Sequence, residues 1–132
     1  LLAGEPARAT TEAMAQPIRW QPLSEEAIQN ALAAGKRVFV DISADWCVTC
    51  KVNEHRVLNQ PAIISALSQP DVVALRGDWS LPSKPIARFL QSRNRYAIPF
   101  NQVYGPGQPQ GDILSPLLDK QTVLNALSRA KG

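Results

Sequence analysis

Two cysteines stand three positions apart in Asp45-Trp46-Cys47-Val48-Thr49-Cys50-Lys51, and the 132-residue chain contains no others. They follow an apolar, β-rich run, Val38-Phe39-Val40-Asp41-Ile42, and precede a segment that reads as helix. Positions i and i+3 of a helix lie on one face, close enough for two sulfurs to bond to each other. The pair can therefore open and close as a disulfide. Cys47 would stand at the helix N-terminus, where unpaired backbone N–H groups and the macrodipole favour a negative charge, so its thiolate is the expected nucleophile. Cys50, one turn further in and less exposed, is the expected resolving thiol.

Other chemistries compete for a CxxC pair. Tetrahedral zinc takes four ligands, whereas the chain adds a single histidine, His55, to its two thiols, so carboxylates would have to complete such a site. A copper- or zinc-binding thiol module is the alternative from outside redox chemistry. A purely structural bridge is weak, because a loop across two intervening residues removes little entropy from the unfolded chain. A strand leading directly into CxxC at the head of a helix favours redox exchange.

The run from Val38 to Lys51 resembles the active-site strand and helix of the thioredoxin superfamily, with Trp46 before the first cysteine and Lys51 after the second. Asp41, six residues before Cys47, matches the buried acid of that family, and Ile98-Pro99 ahead of Phe100 resembles its cis-proline strand. Ala44 to Lys51 followed by Glu54, with Pro99-Phe100 and the Tyr104-Gly105-Pro106-Gly107 turn, is similar more narrowly to the C-terminal periplasmic domain of the DsbD/ScsB membrane thiol:disulfide reductases. The Asp78-Trp79-Ser80-Leu81-Pro82 stretch departs from the thioredoxin pattern.

The resemblance implies an α/β, thioredoxin-like fold with a central mixed β-sheet flanked by helices and an N-terminal extension. It implies that Asp41 and Glu54 tune the thiols or transfer protons, and that Trp46, Ile98 and Pro99, the last in a cis bond, face the substrate. It further implies a protein disulfide reductase in the periplasm, as part of an inner-membrane protein. Its donor would be a membrane-embedded domain of the same reductase, and its acceptors periplasmic thioredoxin-like or other disulfide-bearing proteins. Within redox chemistry the alternative is a thiol oxidase or isomerase.

Composition bounds the rest. The chain fits one domain, and its 45% hydrophobic and 19% charged residues suit a folded core. Its net charge of +3 is scattered, except for Arg93-Asn94-Arg95, and no basic stripe with interleaved aromatics points to nucleic acid. No apolar run approaches the length of a membrane span and no signal peptide is visible, so the fragment itself is expected to be soluble. It begins Leu1-Leu2-Ala3-Gly4 without a methionine, as a piece of something longer would. No GxGxxG pattern marks a nicotinamide or flavin site, so the expected cofactor is none beyond the Cys47–Cys50 disulfide, with electrons supplied by another protein or domain.

The elements that must position the thiols follow from local signals. Residues 1–17, rich in Ala, Thr, Glu and Pro, read as a flexible linker, and residues 18–132 as the domain. Ile18 to Gln21 reads as a short edge strand ended by Pro22, with Trp20 packing inward. Ser24 is the expected N-cap of a first helix that stops at Gly35. Val38 to Ser43 is the central buried strand, and a helix runs from Cys47 to Leu58 before restarting at Pro61. Asp71 to Arg76 is the next strand, with a polar connection over Gly77 to Pro85 and a short helix around Ile86 to Leu90. Trp79 in that connection reads equally as a packing or a binding residue. Phe100 to Tyr104 and residues 111–114 form the last two strands, and Leu117 to Ala130 the last helix. His55, five past Cys50, falls on a different face and is expected at the surface.

Two effects set the acidity of Cys47. A helix terminus favours the thiolate by about 0.3 to 1 kcal/mol. A carboxylate about 6 Å away, at an effective dielectric near 20, opposes it by nearly 3 kcal/mol, or about two pKa units. With Asp41 and Glu54 both charged and close, the carboxylates win. Cys47 is then expected to be less acidic than a helix-capping cysteine usually is.

Overall fold

In chain order, the computed structural model, which describes residues 18–132, begins with β1 (Gln21–Pro22), α1 (Glu25–Ala33), β2 (Arg37–Ser43) and α2 (Val48–Asn53). One π-helical turn (Glu54–Leu58) continues α2, and α3 (Pro61–Leu67), β3 (Val72–Asp78) and α4 (Lys84–Gln91) follow. The chain closes with β4 (Phe100–Gly105), β5 (Gln108–Ile113) and α5 (Lys120–Lys131). The linker expected over residues 1–17 lies outside the described residues. The strands form one mixed sheet in the order β1-β3-β2-β4-β5, with β2 parallel to β3 and antiparallel to β4. This is the α/β thioredoxin-like architecture that the resemblance implied.

Helices cover both faces of the central strand, and all seven residues of β2 are buried. Side chains alternate across it. Val38, Val40 and Ile42 enter one core with Ile28, Phe89 and Leu90, while Phe39 enters the other with Leu58, Ile63, Val123 and Leu127. Asp41 and Ser43 share the face of Phe39, and alternation alone thus puts them under the helix that carries the cysteines.

Local signals hold where neighbours in sequence decide them. Ser24 Oγ accepts from Ala27 N at 2.9 Å and caps α1. Gly35, at φ 75°, closes α1 in a Schellman turn, with Lys36 N donating to Ala31 O and Gly35 N to Leu32 O. Pro61 opens α3 after Gln60.

Boundaries differ where partners distant in sequence decide them. The expected strand Ile18 to Gln21 is instead Gln21–Pro22, and Pro22 lies inside it rather than ending it. At a sheet edge the missing proline N–H costs nothing, and Leu23 N continues the ladder to Arg76 O at 3.1 Å. Trp20 packs on Phe39 with ring centroids 6.2 Å apart. Pairing with β2 carries β3 two residues past Arg76, to Asp78 opposite Ser43. Ser83 caps α4 and brings Pro85 into its first turn, so the expected connection over Gly77 to Pro85 shrinks to residues 79–83. The β4–β5 hairpin draws Gln108 into register with Gly105, so β5 starts three residues earlier than expected. Asp119, whose carboxylate accepts from Thr122 N, starts α5 at Lys120 and leaves Leu117 outside it and exposed.

The helix expected from Cys47 to Leu58 changes its winding at Glu54. Asn59 N donates to Glu54 O at 2.8 Å, an i to i+5 bond, and the extra residue in the turn buries both Val57 and Leu58 while His55 stays exposed. Asn53 ties α2 to the loop before α5, donating to Pro116 O at 2.8 Å and accepting from Leu118 N at 3.0 Å.

Candidate active site

Cys47 and Cys50 are bonded to each other, with Cα atoms 5.2 Å apart. Cys47 is the N-cap of α2: its backbone is extended, and its Sγ accepts from Cys50 N at 3.1 Å. In the reduced protein that sulfur would sit where a helix start best supports negative charge. Both cysteines are buried, Cys47 at 6% exposed and Cys50 at 3%. Ala44, Trp79 and Ile98 pack around the pair.

Beneath α2 a row of polar side chains crosses the sheet. Arg76 of β3 and Asn101 of β4 are the register partners of Asp41 on its two sides. Alternation puts all three on the face of the cysteine helix. Arg76 Nε donates to Asp41 Oδ2 at 2.8 Å, with Nη2 in ion-pair contact with the same oxygen at 2.8 Å, and Asn101 Nδ2 donates to Oδ1 at 2.7 Å. Asn101 Nδ2 also reaches Val40 O at 3.2 Å. The carboxylate is thus buried but bonded on both oxygens. Burial pushes the Asp41 carboxyl above the ordinary carboxylate range; the Arg76 cation and the two donors pull it down without reversing that, and Glu54 pushes it further up.

Glu54 stands at the junction of α2 and the π turn. Its Oε2 accepts from Ser43 Oγ at 2.9 Å and lies 4.0 Å from Arg76 Nη2. One guanidinium therefore faces both acids, and its Cζ rests 4.1 Å from the centroid of the Trp20 ring. A polar cleft of about 220 Å³ opens beside this cluster, lined by Asp45, Lys51, Glu54, Arg76, Asp78 and Ser80 among others. It opens Glu54 and Arg76 to solvent, while Asp41 stays buried behind them.

The substrate-facing residues expected from the sequence gather around the same mouth. Trp46 is exposed, and its indole Nε1 donates to Trp79 O at 3.0 Å. Ile98 packs against the cysteine pair, and the Ile98–Pro99 peptide is cis with Pro99 half-buried. Trp79 both packs on the pair and anchors Trp46. His55 is exposed, and among the described residues no three His, Cys, Asp or Glu side chains gather where they could hold a metal ion.

Arg76, Asn101 and Ser43 were missed by sequence reasoning. A signal existed for two of them: Arg76 interrupts the apolar run Val72-Val73-Ala74-Leu75, and Asn101 follows Phe100 inside a strand. A polar residue in a strand covered on both faces needs a hydrogen-bonding partner, and another such residue on a neighbouring strand is one candidate.

Residues 19–106 match the family model described as Thioredoxin-like. Over 107 residues the chain is 37% identical to the thiol:disulfide interchange protein DsbD 1 of Pseudomonas aeruginosa, covering 76% of this chain and 17% of that protein. It is 41% identical over 109 residues to the thiol:disulfide interchange protein DsbD of Ralstonia nicotianae, covering 82% of this chain and 18% of that protein. The chain thus spans less than a fifth of the length of these relatives. The crystal structure of the reduced DsbD C-terminal domain of Neisseria meningitidis aligns with a TM-score of 0.62 at 18% identity, covering 83% of this chain and 99% of that one. At that identity the likeness is one of fold.

Proposed function

We propose a function from one premise: the chain belongs to the thioredoxin-like family, and the Cys47–Cys50 pair makes it a thiol:disulfide oxidoreductase domain. It acts as a protein disulfide reductase. The reduced Cys47 thiolate attacks one sulfur of a partner's disulfide; that bond breaks, a mixed disulfide forms, and the partner's other sulfur leaves as a thiolate and takes a proton. Cys50 loses its proton and attacks Cys47 Sγ, expelling the partner's second sulfur. The partner gains two electrons and two protons, and the domain is left with its own disulfide.

In this reading Asp41, in the strand beneath α2, takes the Cys50 proton, and Glu54, which lines the polar cleft, passes it on to water. Trp46, Ile98 and Pro99 form the surface against which the partner's disulfide lies. An upstream dithiol restores the domain by the reverse exchange. Similarity to the DsbD proteins supports placing that dithiol in a membrane-embedded domain of the same polypeptide and the domain itself in the periplasm. The acceptors are then periplasmic proteins that carry a disulfide, and no cofactor beyond the cysteine pair takes part. Among the described residues no helix is long and apolar enough to cross a membrane.

The observation that carries this reading is a disulfide whose Cys47 sulfur caps a helix above a buried, cation-paired acid. Trapping tests it. A Cys50→Ala variant should accumulate mixed disulfides through Cys47, and mass spectrometry names the partner. The reduction potential of the pair should lie well below about −200 mV, where reductants sit. A higher potential, or stoichiometric copper or zinc binding by a reduced domain that reduces no protein disulfide, would overturn it.

A further inference from the structure

Asn101, the second residue of β4, is 1% exposed, and the exchange chemistry above gives it no task. Both N–H bonds of its amide are spent: Nδ2 donates to Asp41 Oδ1 at 2.7 Å and to Val40 O at 3.2 Å. A backbone carbonyl only accepts, so Val40 O fixes which end of the amide faces Asp41. The other end is orphaned: Asn101 Oδ1 is buried and meets no hydrogen-bond donor among the described residues. Such acceptors are rare, because each forfeits the bonds it made to water and gains none. Val103, two positions on and on the same face of the strand, belongs to the apolar core, and an apolar residue at position 101 would carry no such penalty. The sheet therefore gives up stability to keep an N–H on Asp41.

The two oxygens of Asp41 are not equivalent. Oδ2 is faced by two nitrogens of the Arg76 guanidinium, whereas Oδ1 receives only the Asn101 N–H. An incoming proton is repelled by the cation on Oδ2 and finds a free lone pair on Oδ1. It therefore arrives on the oxygen that Asn101 holds. An N–H bonds an ionised oxygen about twice as strongly as a neutral one, so Asn101 favours the ionised Asp41, the form that can accept a proton. Arg76, from β3, acts in the same direction. Burial and the Glu54 carboxylate, from the end of α2, act against both. The thiols of α2 add a charge only when Cys47 is a thiolate.

We propose that Asn101 is a positioning residue for the resolving step: its amide, locked by Val40 O with an N–H toward Asp41 Oδ1, holds that oxygen ready to receive the Cys50 proton. The step needs no further reagent. The Cys50 S–H proton passes to Asp41 Oδ1, the electron pair left on Cys50 forms the bond to Cys47 Sγ, and the bond from Cys47 to the partner breaks with its pair leaving on the partner's sulfur. The role rests on the reading above, in which Asp41 takes that proton, and adds the group that keeps Asp41 able to take it.

Ellman's reagent, mixed with the reduced domain, separates the two chemical steps: attack by Cys47 releases one thionitrobenzoate, and attack by Cys50 on the mixed disulfide releases the second. In wild type the second release should quicken with pH as Asp41 ionises. In Asn101→Leu, which removes both the N–H groups and the orphaned carbonyl, that rise should move upward by about one pH unit, so that below it the second release is roughly tenfold slower. The first release should be no slower, because an Asp41 that is more often neutral opposes the Cys47 thiolate less. Asn101→Ala, which adds no bulk, should show the same shift, and thermal unfolding shows whether each variant is folded. An unmoved rise in the variants overturns the proposal, and so does loss of the folded state in both, which would make Asn101 a structural tie. Asp41→Asn tests the underlying reading separately. A second release that keeps its wild-type pH dependence in Asp41→Asn removes Asp41 as the base and this inference with it, whereas a flattened profile there beside an unmoved one in Asn101→Leu removes the role of Asn101 alone.

Discussion

Arg76 Nε donates to Asp41 Oδ2 at 2.8 Å, between residues that face each other across the parallel β2–β3 ladder. The same guanidinium lies 4.0 Å from Glu54 and is backed by the Trp20 ring. Counting only two acids, the surroundings of Cys47 oppose its ionisation. A cation at these distances offsets about one of those charges. The balance that sets the reactivity of Cys47 therefore includes a term that the two-acid expectation omitted.

Replacing Arg76 isolates that term. In Arg76→Met the buried Asp41 loses the strongest influence holding its carboxyl down. Following the Asp41 carboxyl carbon by NMR in the oxidised domain should show its titration midpoint move to higher pH, with Arg76→Lys returning part of the way. An unmoved midpoint would show that the ion pair does not govern this acid.

Asp41 also makes stability depend on pH. Its carboxyl is raised in the folded state, so from the unfolded value near about 3.9 upward the folded protein keeps a proton that the unfolded chain has released. Its contribution is complete below that pH and is lost as pH rises through the folded value. Urea unfolding of wild type should show this decline over that window, superimposed on the other groups. Asp41→Asn should lack it, and parallel curves for the two proteins would contradict the assignment.

Glu54 is bonded to Ser43 and faces the polar cleft. Glu54→Gln preserves its shape and removes its charge, so in the reduced domain Cys47 should ionise at lower pH, by up to about two units if the carboxylate lies about 6 Å away. Thiolate absorbance reads this directly. A change in the opposite direction would mean that Glu54 supports the thiolate through its hydrogen bonds.

Gly105 ends β4 where the last turn of α5 presses on the hairpin. A Cβ there would run into the Ala130 backbone carbonyl, which also accepts from Gly107 N at 2.9 Å. Gly105→Ala should cost about 1–3 kcal/mol in urea unfolding, as overpacking does, with no change in the thiol titration. A loss under about 0.5 kcal/mol would show that the helix end yields freely.

The sequence by itself determined whatever depends on residues a few positions apart. The Ser24 cap, the Gly35 stop, the Pro61 restart, the buried central strand and the cysteine pair at a helix mouth were all legible, because each is settled within one turn or one strand. The resemblance added Asp41, Glu54 and the cis bond at Pro99. Only the tertiary structure decided the company these residues keep. Asp41 and Asn101 are 60 positions apart, and Asp41 and Arg76 are 35 apart. They meet because three strands align in one register, which is chosen by burial over the whole sheet. The same pairing pulled Pro22 and Gln108 into strands, and tied the 79–83 loop to the cysteines. Chain-local chemistry selects the elements; the side chains that surround a sulfur are chosen by how those elements pack.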